Sequence, residues 1–139
     1  MEKVKLQAQY GLYINGEWRN ASDGATYNAE SPADGSHLAV CAQGSREDVE
    51  AASAAAWEAF KTWKKTTPAQ RAALLNKIAD IIDANKEHLA MVESMDNGKP
   101  IRETMNVDIP MAAEHFRYFA GCILAEEGQA SVLNEQFLS

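Results

Sequence analysis

Cysteine is scarce in this sequence, and the placement of the two cysteines present excludes several classes of site. Cys41 and Cys122 lie far apart in the 139 residues, with no CxxC pair and no nearby pair of histidines. Zinc sites and disulfide frameworks need clustered cysteines or histidines, so neither is expected here. Two isolated cysteines are typical of free, buried thiols in a reducing compartment, and we therefore expect a cytoplasmic protein.

Long apolar runs and an excess of positive charge are also absent. No apolar segment approaches the roughly 20 residues that cross a bilayer. Residues 1–14 mix charged side chains with apolar ones, unlike the core of a signal peptide. The net charge is −7 and the isoelectric point is about 4.9. Because an acidic surface disfavours nucleic acid and anionic membranes, we expect neither as a partner.

Glycine is too scattered to form a phosphate-binding loop. The spacing of Gly11, Gly16 and Gly24 matches neither a GxGxxG fingerprint nor a P-loop. The residues themselves therefore indicate no catalytic group and no cofactor-binding group. The composition, 46% hydrophobic and 24% charged, is that of an ordinary globular domain.

Three segments of the sequence predict β-strands. Residues 12–18 place Asn15-Gly16 between apolar side chains, which is typical of a hairpin with a type I′ turn. Residues 38–42 predict a short strand. Apolar and polar residues alternate over 130–138, which predicts a half-buried strand. We expect this last strand to lack a partner, which indicates a truncated chain.

Two capping signals mark the starts of the first two predicted helices. Ser45 stands three residues before an acidic side chain, ahead of a helix predicted over 46–63. Thr67 is followed by proline and, three residues on, by glutamine, ahead of a helix predicted over 68–96. We expect this second helix to bend near residues 83–85.

The segment Asp-Asn-Gly-Lys-Pro at 96–100 joins the second helix to a third. Gly98 can adopt the left-handed conformation that ends a helix, and Pro100 suits the first turn of a new one. The third helix is predicted over 100–127, with a kink or break near residue 109 because Pro110 lies inside it. Asp96 sits beside the negative end of the helix dipole, which is an unfavourable place for a carboxylate unless it has a partner.

Four stretches in this order resemble a known family: 13–18, 31–35 followed by 40–42, 71–82, and 96–100 together with 116–121. They are similar to the amino-terminal part of an NAD(P)-dependent aldehyde dehydrogenase. The residues at 99–104 and 115–119 look most similar to those of bacterial acetaldehyde and broad-substrate members. Residues 1–139 would then be a single truncated segment, about the first quarter of a family chain.

The resemblance implies an α/β fold with a Rossmann-type cofactor domain. This chain would supply a mainly helical part with an N-terminal hairpin, a short strand and the start of an oligomerisation strand. In the intact enzyme, a thiolate attacks an aldehyde, hydride passes to NAD or NADP, and a carboxylic acid is released. The family's nucleophile, glutamate base and cofactor site lie beyond Ser139. We therefore expect the isolated chain to bind no cofactor and to be inactive.

The resemblance also implies one cation site and one substrate contact. In several family members, a side chain and backbone carbonyls hold a monovalent cation. The carboxylate matches Asp96, and the carbonyls match Ala29 and Glu30. The alternative is that Asp96 only accepts hydrogen bonds from backbone N–H groups of its loop. Met111 matches a position at the mouth of the substrate tunnel, and its alternative role is simple packing. The family has an acidic residue just before it, where this chain has Pro110.

Two other hypotheses remain open. The chain could be a stand-alone helical interaction module, or a decoy subunit that docks on a full-length enzyme, because helix faces built for a missing sheet form an apolar patch. Because such a patch would be exposed in the isolated chain, we expect the chain to self-associate. The other hypothesis is a small thiol enzyme that uses Cys41 or Cys122, although neither stands in a recognisable catalytic motif.

Overall fold

The structure is a computed structural model that describes residues 4–128, 132–134 and 137–138. Short strands precede a set of helices. The first five strands are β1 (Gln9–Tyr10), β2 (Leu12–Ile14), β3 (Glu17–Arg19), β4 (Thr26–Glu30) and β5 (His37–Ala42). The helices are α1 (Arg46–Trp63), α2 (Pro68–Ala84), α3 (Lys86–Asn97), α4 (Ile101–Glu103) and α5 (Ile109–Leu124), with a π-helical turn over Thr104–Asp108 between the last two.

The five N-terminal strands form two small sheets. β2 and β3 pair as the expected antiparallel hairpin, with Asn15 and Gly16 both at positive φ in the turn. β5 lies at the centre of the second sheet, parallel to β1 and antiparallel to β4. One face of this sheet carries Tyr10, Tyr27 and Cys41, because each of the two tyrosines is the direct partner of the cysteine.

Both predicted helix starts are confirmed. The Ser45 side chain accepts a hydrogen bond from the backbone N–H of Asp48, and the Asp48 carboxylate accepts one from the backbone N–H of Ser45. Thr67 and Gln70 form the same reciprocal box ahead of α2, with proline at the helix start. These caps depend on residues only three positions apart, which is why the sequence reveals them.

The single helix predicted over 68–96 is wrong. The structure contains two helices, α2 and α3, which meet at Asn85 (φ −111°, ψ 16°). The Asn85 side chain donates a hydrogen bond to the carbonyl of Ile81, 2.8 Å away. A side-chain hydrogen bond from asparagine to the backbone of the preceding turn competes with the backbone hydrogen bonds that would continue the helix. The sequence predicted a bend near residues 83–85, and the structure has a break there.

The continuous helix predicted over 100–127 is also wrong. Pro110 has no N–H to donate to the carbonyl four residues earlier, so the regular ladder cannot pass through it. The chain widens instead into the π-helical turn, in which Ile109 donates to the carbonyl of Thr104. α5 then ends at Leu124, three residues before the predicted end.

The predicted strand over 130–138 is wrong in one respect. Two strands lie within that range, β6 (Val132–Asn134) and β7 (Phe137–Leu138), and they pair with each other in antiparallel orientation. The strand therefore has a partner within its own segment. The remaining residues of the predicted strand lie outside the described part of the chain.

The core is built of small side chains. Among the described residues, the buried apolar side chains are all alanines: Ala21, Ala39, Ala42, Ala72, Ala79, Ala90, Ala113 and Ala120. α2 and α5 are each other's main neighbours and contribute two of these alanines apiece, seven residues apart, so their backbones can approach closely. Arg117 of α5 donates to Asp80 (2.8 Å) and Asp83 (2.7 Å) of α2 at the edge of this contact.

The two cysteines are more exposed than the sequence predicts. Both cysteines are free, but Cys122 is exposed and Cys41 is half-buried, so the prediction of two buried thiols is wrong. α5 is apolar along much of its length and leaves part of that surface uncovered.

Within the described residues, no helix combines the length and apolar character that crossing a membrane would require.

Candidate functional site

The corner at residues 96–100 packs directly on the turn after β4. Gly98 ends α3 at φ 77°, and its N–H donates to the carbonyl of Ser94 at 3.1 Å. A Cβ at Gly98 would lie 2.9 Å from Cγ of Pro32. Glycine is therefore required both by the left-handed backbone and by the close approach of the proline ring. The contact joins two of the four stretches that carry the family resemblance.

Side-chain hydrogen bonds hold the corner in place. The Ser94 hydroxyl donates to the carbonyl of Lys99 (2.6 Å), and the backbone N–H of Lys99 donates to Oδ1 of Asn97 (2.8 Å). Nζ of Lys99 reaches Oδ2 of Asp108 in the π-helical turn at 2.8 Å. The hydrogen bond to Asp108 raises the pKa of Lys99, because it stabilises the ammonium form.

A cavity of about 210 Å³ lies between the β1–β5–β4 sheet and α3. Two of the predicted cation ligands, Asp96 and Ala29, line it together with Cys41 and Glu93. The structure thus brings a carboxylate from the end of α3 to the strand that was expected to supply carbonyl oxygens. Glu30 and Met111 are not among the lining residues.

Tyr27 on β4 is paired with Cys41, which lines this cavity. The pKa of its hydroxyl is raised, first by the neighbouring Cys41 sulfur and a hydrogen bond to it, then by burial and, least, by the Asp96 carboxylate. Asp96 itself is exposed at its edge of the cavity.

Ala29 and Glu30 lie on either side of an irregularity in the pairing of β4. The pairing of β4 with β5 shifts register between Ala29 and Glu30, and Glu30 pairs with His37. Such a shift departs from the regular ladder and re-aims backbone groups. Among the described residues, no three His, Cys, Asp or Glu side chains come close enough to hold a metal ion. A cation here would therefore depend on backbone oxygens as well as on Asp96.

Met111 lies at the start of α5, immediately after Pro110. Its side chain is 48% exposed, so packing accounts for only about half of its surface. The π-helical turn that Pro110 imposes sets the rotation of α5 at this point and hence the direction of Met111.

A thiol-enzyme site is not supported by either cysteine. Cys122 lies beside Tyr118, whose pKa is raised by a hydrogen bond with the thiol. Cys41 lies beside Tyr27. His37 is on the same strand as Cys41, but the two lie four residue positions apart, which is roughly 13 Å along a strand. In the described part of the chain, the partner of each thiol is thus a tyrosine, which is a weak base.

The glycines and helix starts of the described residues do not form a phosphate-binding loop. The N-terminal N–H groups of a long helix could hold a phosphate. At α1 and α2, the caps already bond one of these groups each, the N–H of Asp48 to Ser45 and the N–H of Gln70 to Thr67. The glycines at positive φ each lie in a separate turn: Gly16, Gly24, Gly35 and Gly98.

Asp48 has buried polar contacts that the sequence predicts only in part. Asp48 is only 2% exposed, and its carboxylate accepts hydrogen bonds from the backbone N–H groups of Ser22 (3.0 Å) and Ser45 (3.0 Å) and from both serine hydroxyls. Nη2 of Arg19 lies 3.6 Å away. The Ser22 and Ser45 N–H groups, in that order, lower the pKa of Asp48. The capping signal indicates the Ser45 bond, but nothing local indicates Ser22, which lies 26 residues earlier.

Comparison with known proteins identifies the class to which this arrangement belongs. The model of the aldehyde dehydrogenase family matches residues 18–138, so the chain belongs to that family. It is 45% identical over 137 residues to a long-chain-aldehyde dehydrogenase of an Acinetobacter species, covering 99% of this chain and 27% of that enzyme. It is also 45% identical over 132 residues to an acetaldehyde dehydrogenase of Pseudomonas aeruginosa, covering 95% and 26%.

Solved structures agree with this assignment and confirm the expected fold. The crystal structure of PnpE from Pseudomonas sp. WBC-3 superposes with a TM-score of 0.90 at 40% identity, covering 94% of this chain and 27% of that one. PnpE in complex with nicotinamide adenine dinucleotide superposes equally well. The chain spans about a quarter of the length of these relatives.

Proposed function

We propose that this chain forms the amino-terminal part of an NAD(P)-dependent aldehyde dehydrogenase, which oxidises an aldehyde to a carboxylic acid. The observation that carries the proposal is the family match over residues 18–138 together with the TM-score of 0.90 to PnpE. In such an enzyme the chain would act as a scaffold. The reactive thiol, the glutamate base and the nucleotide site would come from the part of the family sequence that follows, and the isolated chain would be inactive.

A fusion tests both halves of this proposal. Residues 1–139 would replace the matched first part of the Acinetobacter long-chain-aldehyde dehydrogenase, giving one continuous chain (the fusion). We expect the fusion to reduce NAD or NADP in the presence of an aldehyde, and the isolated chain to reduce neither. A folded but inactive fusion would refute the assignment. Aldehyde oxidation by the isolated chain, retained when Cys41 and Cys122 are both serine, would refute the scaffold role.

We also propose that a monovalent cation binds at Asp96, with backbone carbonyls of Ala29 and Glu30 as the other protein ligands. Support comes from the joint lining of the cavity by Asp96 and Ala29 and from the register shift at Glu30. Potassium or sodium should raise the melting temperature of the chain more than the much larger tetramethylammonium ion does. Asp96→Asn should abolish that difference, and its persistence in the variant would refute the site.

For Met111 we propose contact with substrate at the tunnel mouth of the intact enzyme. Its half-exposed side chain beside the π-helical turn supports this role. In the fusion, Met111→Ala should change the relative kcat/KM for short and long aldehydes by a few-fold, in the range expected for one apolar side chain. Equal ratios before and after the change would assign Met111 to packing.

A second candidate is an interaction module or decoy subunit that docks on a full-length aldehyde dehydrogenase. The large apolar side chains that stay exposed favour it, Trp57 at 69% and Phe119 at 57% among them. We also expect self-association of the isolated chain and a cytoplasmic location. The decoy role predicts that added chain lowers the activity of a full-length relative, whereas unchanged activity at excess chain would refute it. Light scattering that shows a monomer at high concentration would refute self-association.

A further inference from the structure

The π-helical turn is attached to the rest of the chain at both of its ends. At its first residue, the buried Thr104 hydroxyl donates to the carbonyl of Ala90 on α3, 2.8 Å away. At its last residue, Oδ2 of Asp108 accepts a hydrogen bond from Nζ of Lys99 at 2.8 Å. The turn therefore cannot shift relative to α3 and the corner after it without breaking one of these bonds.

The backbone of Lys99 is held in place independently of its side chain. Its N–H donates to Oδ1 of Asn97 at 2.8 Å, and its carbonyl accepts from the Ser94 hydroxyl at 2.6 Å. The residue before it, Gly98, is fixed at positive φ against the ring of Pro32. Because this backbone is already ordered, the ammonium group loses less conformational freedom on pairing than that of a lysine on a mobile segment.

The ion pair of Lys99 with Asp108 differs from a second ion pair in the same region. The Asp108 side chain is 27% exposed, and nine residue positions separate it from Lys99. Arg102 and Glu103 are adjacent on α4, with side chains 82% and 43% exposed. A pair between adjacent residues cannot fix one segment against another, whereas the Lys99–Asp108 pair joins the corner to the π-helical turn. Arg102 therefore provides a matched control.

Asp108 lies close to Met111 along the helix. The two residues are three positions apart, and both Asp108 and Ile109 have right-handed helical backbone angles. Residues three apart on a helix are neighbours on one face, so the position of Asp108 determines where the Met111 side chain emerges. Pro110 lies between them and donates no backbone hydrogen bond. The Asp108 side chain thus supplies an attachment at a point where the regular helix ladder has lost one.

We propose that Lys99 and Asp108 are positioning residues, whose ion pair fixes the π-helical turn and so directs Met111 toward the substrate. Through Met111, the pair influences which aldehyde chain lengths the intact enzyme prefers. The inference rests on the proposed function, in which Met111 contacts substrate at the tunnel mouth. Neither charged residue touches the aldehyde or moves a proton in this role. The alternative is an ion pair that only stabilises the fold.

The first test follows the methyl group of Met111 by NMR in the isolated chain, with its signal assigned from Met111→Leu. Lys99→Ala and Asp108→Ala should stay folded, because a part-exposed ion pair contributes little stability. Both should move the Met111 signal in the same direction, and the double variant should move it no further, because one connection is lost in all three. Lys99→Arg should restore the signal, and Arg102→Ala should leave it in place. An unmoved signal, or an equal shift in Arg102→Ala, would overturn the proposal, as would opposite shifts, which indicate only the removed charges.

The second test measures the ratio of kcat/KM for a short and a long aldehyde in the fusion, which does not depend on the amount of folded enzyme. Lys99→Ala should change this ratio by about two-fold, no more than Met111→Ala does. In the Met111→Ala background, Lys99→Ala should leave the ratio unchanged, because the side chain through which it acts is gone. An unchanged ratio in the first background, or an equal change in both, would assign the pair to stability alone. A fusion that oxidises no aldehyde would reject the proposed function, while the methyl signal would still decide whether the pair positions Met111.

Discussion

α1 and the α2–α5 pair begin from similar sequence signals and end in different environments. Both α1 and α2 start with a reciprocal capping box, and both carry an apolar stripe. α2 packs on α5 through buried alanines, whereas α1 buries a single carboxylate and leaves its aromatic side chains open. The difference shows that an apolar stripe predicts a helix well but does not reveal whether the chain itself supplies the cover.

The largest expected effect separates the two environments directly. Ala79 on α2 is 0% exposed, so Ala79→Leu must force the helices apart. We expect a loss of about 3 kcal/mol in the free energy of unfolding, at the upper end for overpacking. Ala54→Leu, at an exposed position of α1, is the control and should change it by less than about 0.5 kcal/mol. Urea unfolding measures both, and similar values would mean that the α2–α5 contact is not close-packed.

A second prediction concerns Asp48, whose carboxylate holds the start of α1 by accepting hydrogen bonds from Ser22 and Ser45. Asp48→Ala leaves the N–H groups of Ser22 and Ser45 without their acceptor, so we expect the melting temperature to fall by several degrees. The pKa of Asp48 is lowered on folding, so its contribution is present above the unfolded value near 3.8 and is lost as the pH falls through the folded value. The wild type should therefore lose more stability than the variant below about pH 4. Parallel pH curves for the two proteins would contradict this role of Asp48.

The third change tests the attachment of the π-helical turn. Thr104 is 0% exposed, and its hydroxyl donates to the carbonyl of Ala90 at 2.8 Å. Thr104→Val keeps the shape and removes the donor, so we expect a loss of about 1.5 kcal/mol. Thr62→Val, whose hydroxyl bonds a carbonyl at the exposed end of α1, is the matched control and should cost much less. Equal costs in denaturant unfolding would show that burial does not strengthen the Thr104 bond.

The smallest effect is expected at the edge of the α2–α5 contact. Arg117 pairs with Asp80 and Asp83, but all three side chains are at least 40% exposed. Arg117→Ala should lower the free energy of unfolding by only about 0.5 kcal/mol, and high salt should reduce the difference further. A loss several times larger, unaffected by salt, would mean that the pair and not the alanines holds the helices together.

Local chemistry made part of this fold predictable. The hairpin turn at Asn15-Gly16, the two capping boxes and the glycine at the end of α3 each depend on residues within four positions. The disturbance at Pro110 was also expected, because the missing N–H is a property of that residue alone. The break at Asn85 and the partner of β7 were not, since each depends on which of two local arrangements the neighbouring segment favours.

The candidate site was predictable in its residues but not in its geometry. Asp96 and Ala29 were paired by resemblance, and the structure places both at one cavity. Glu30 lies next to a register shift that no local pattern reveals. The bond between Asp48 and Ser22 was missed because 26 residues separate the partners, and no sequence spacing reports a contact of that range.

The sequence by itself determined the turns, the helix starts and the family of this protein, because those depend on short-range backbone chemistry and on residue identities in order. Tertiary structure alone decided that alanines form the core, that Asp48 holds the start of α1 and that Trp57, Phe60 and Trp63 stay exposed. Burial depends on which surfaces meet in space. An apolar stripe therefore records that a helix needs cover but not where that cover comes from.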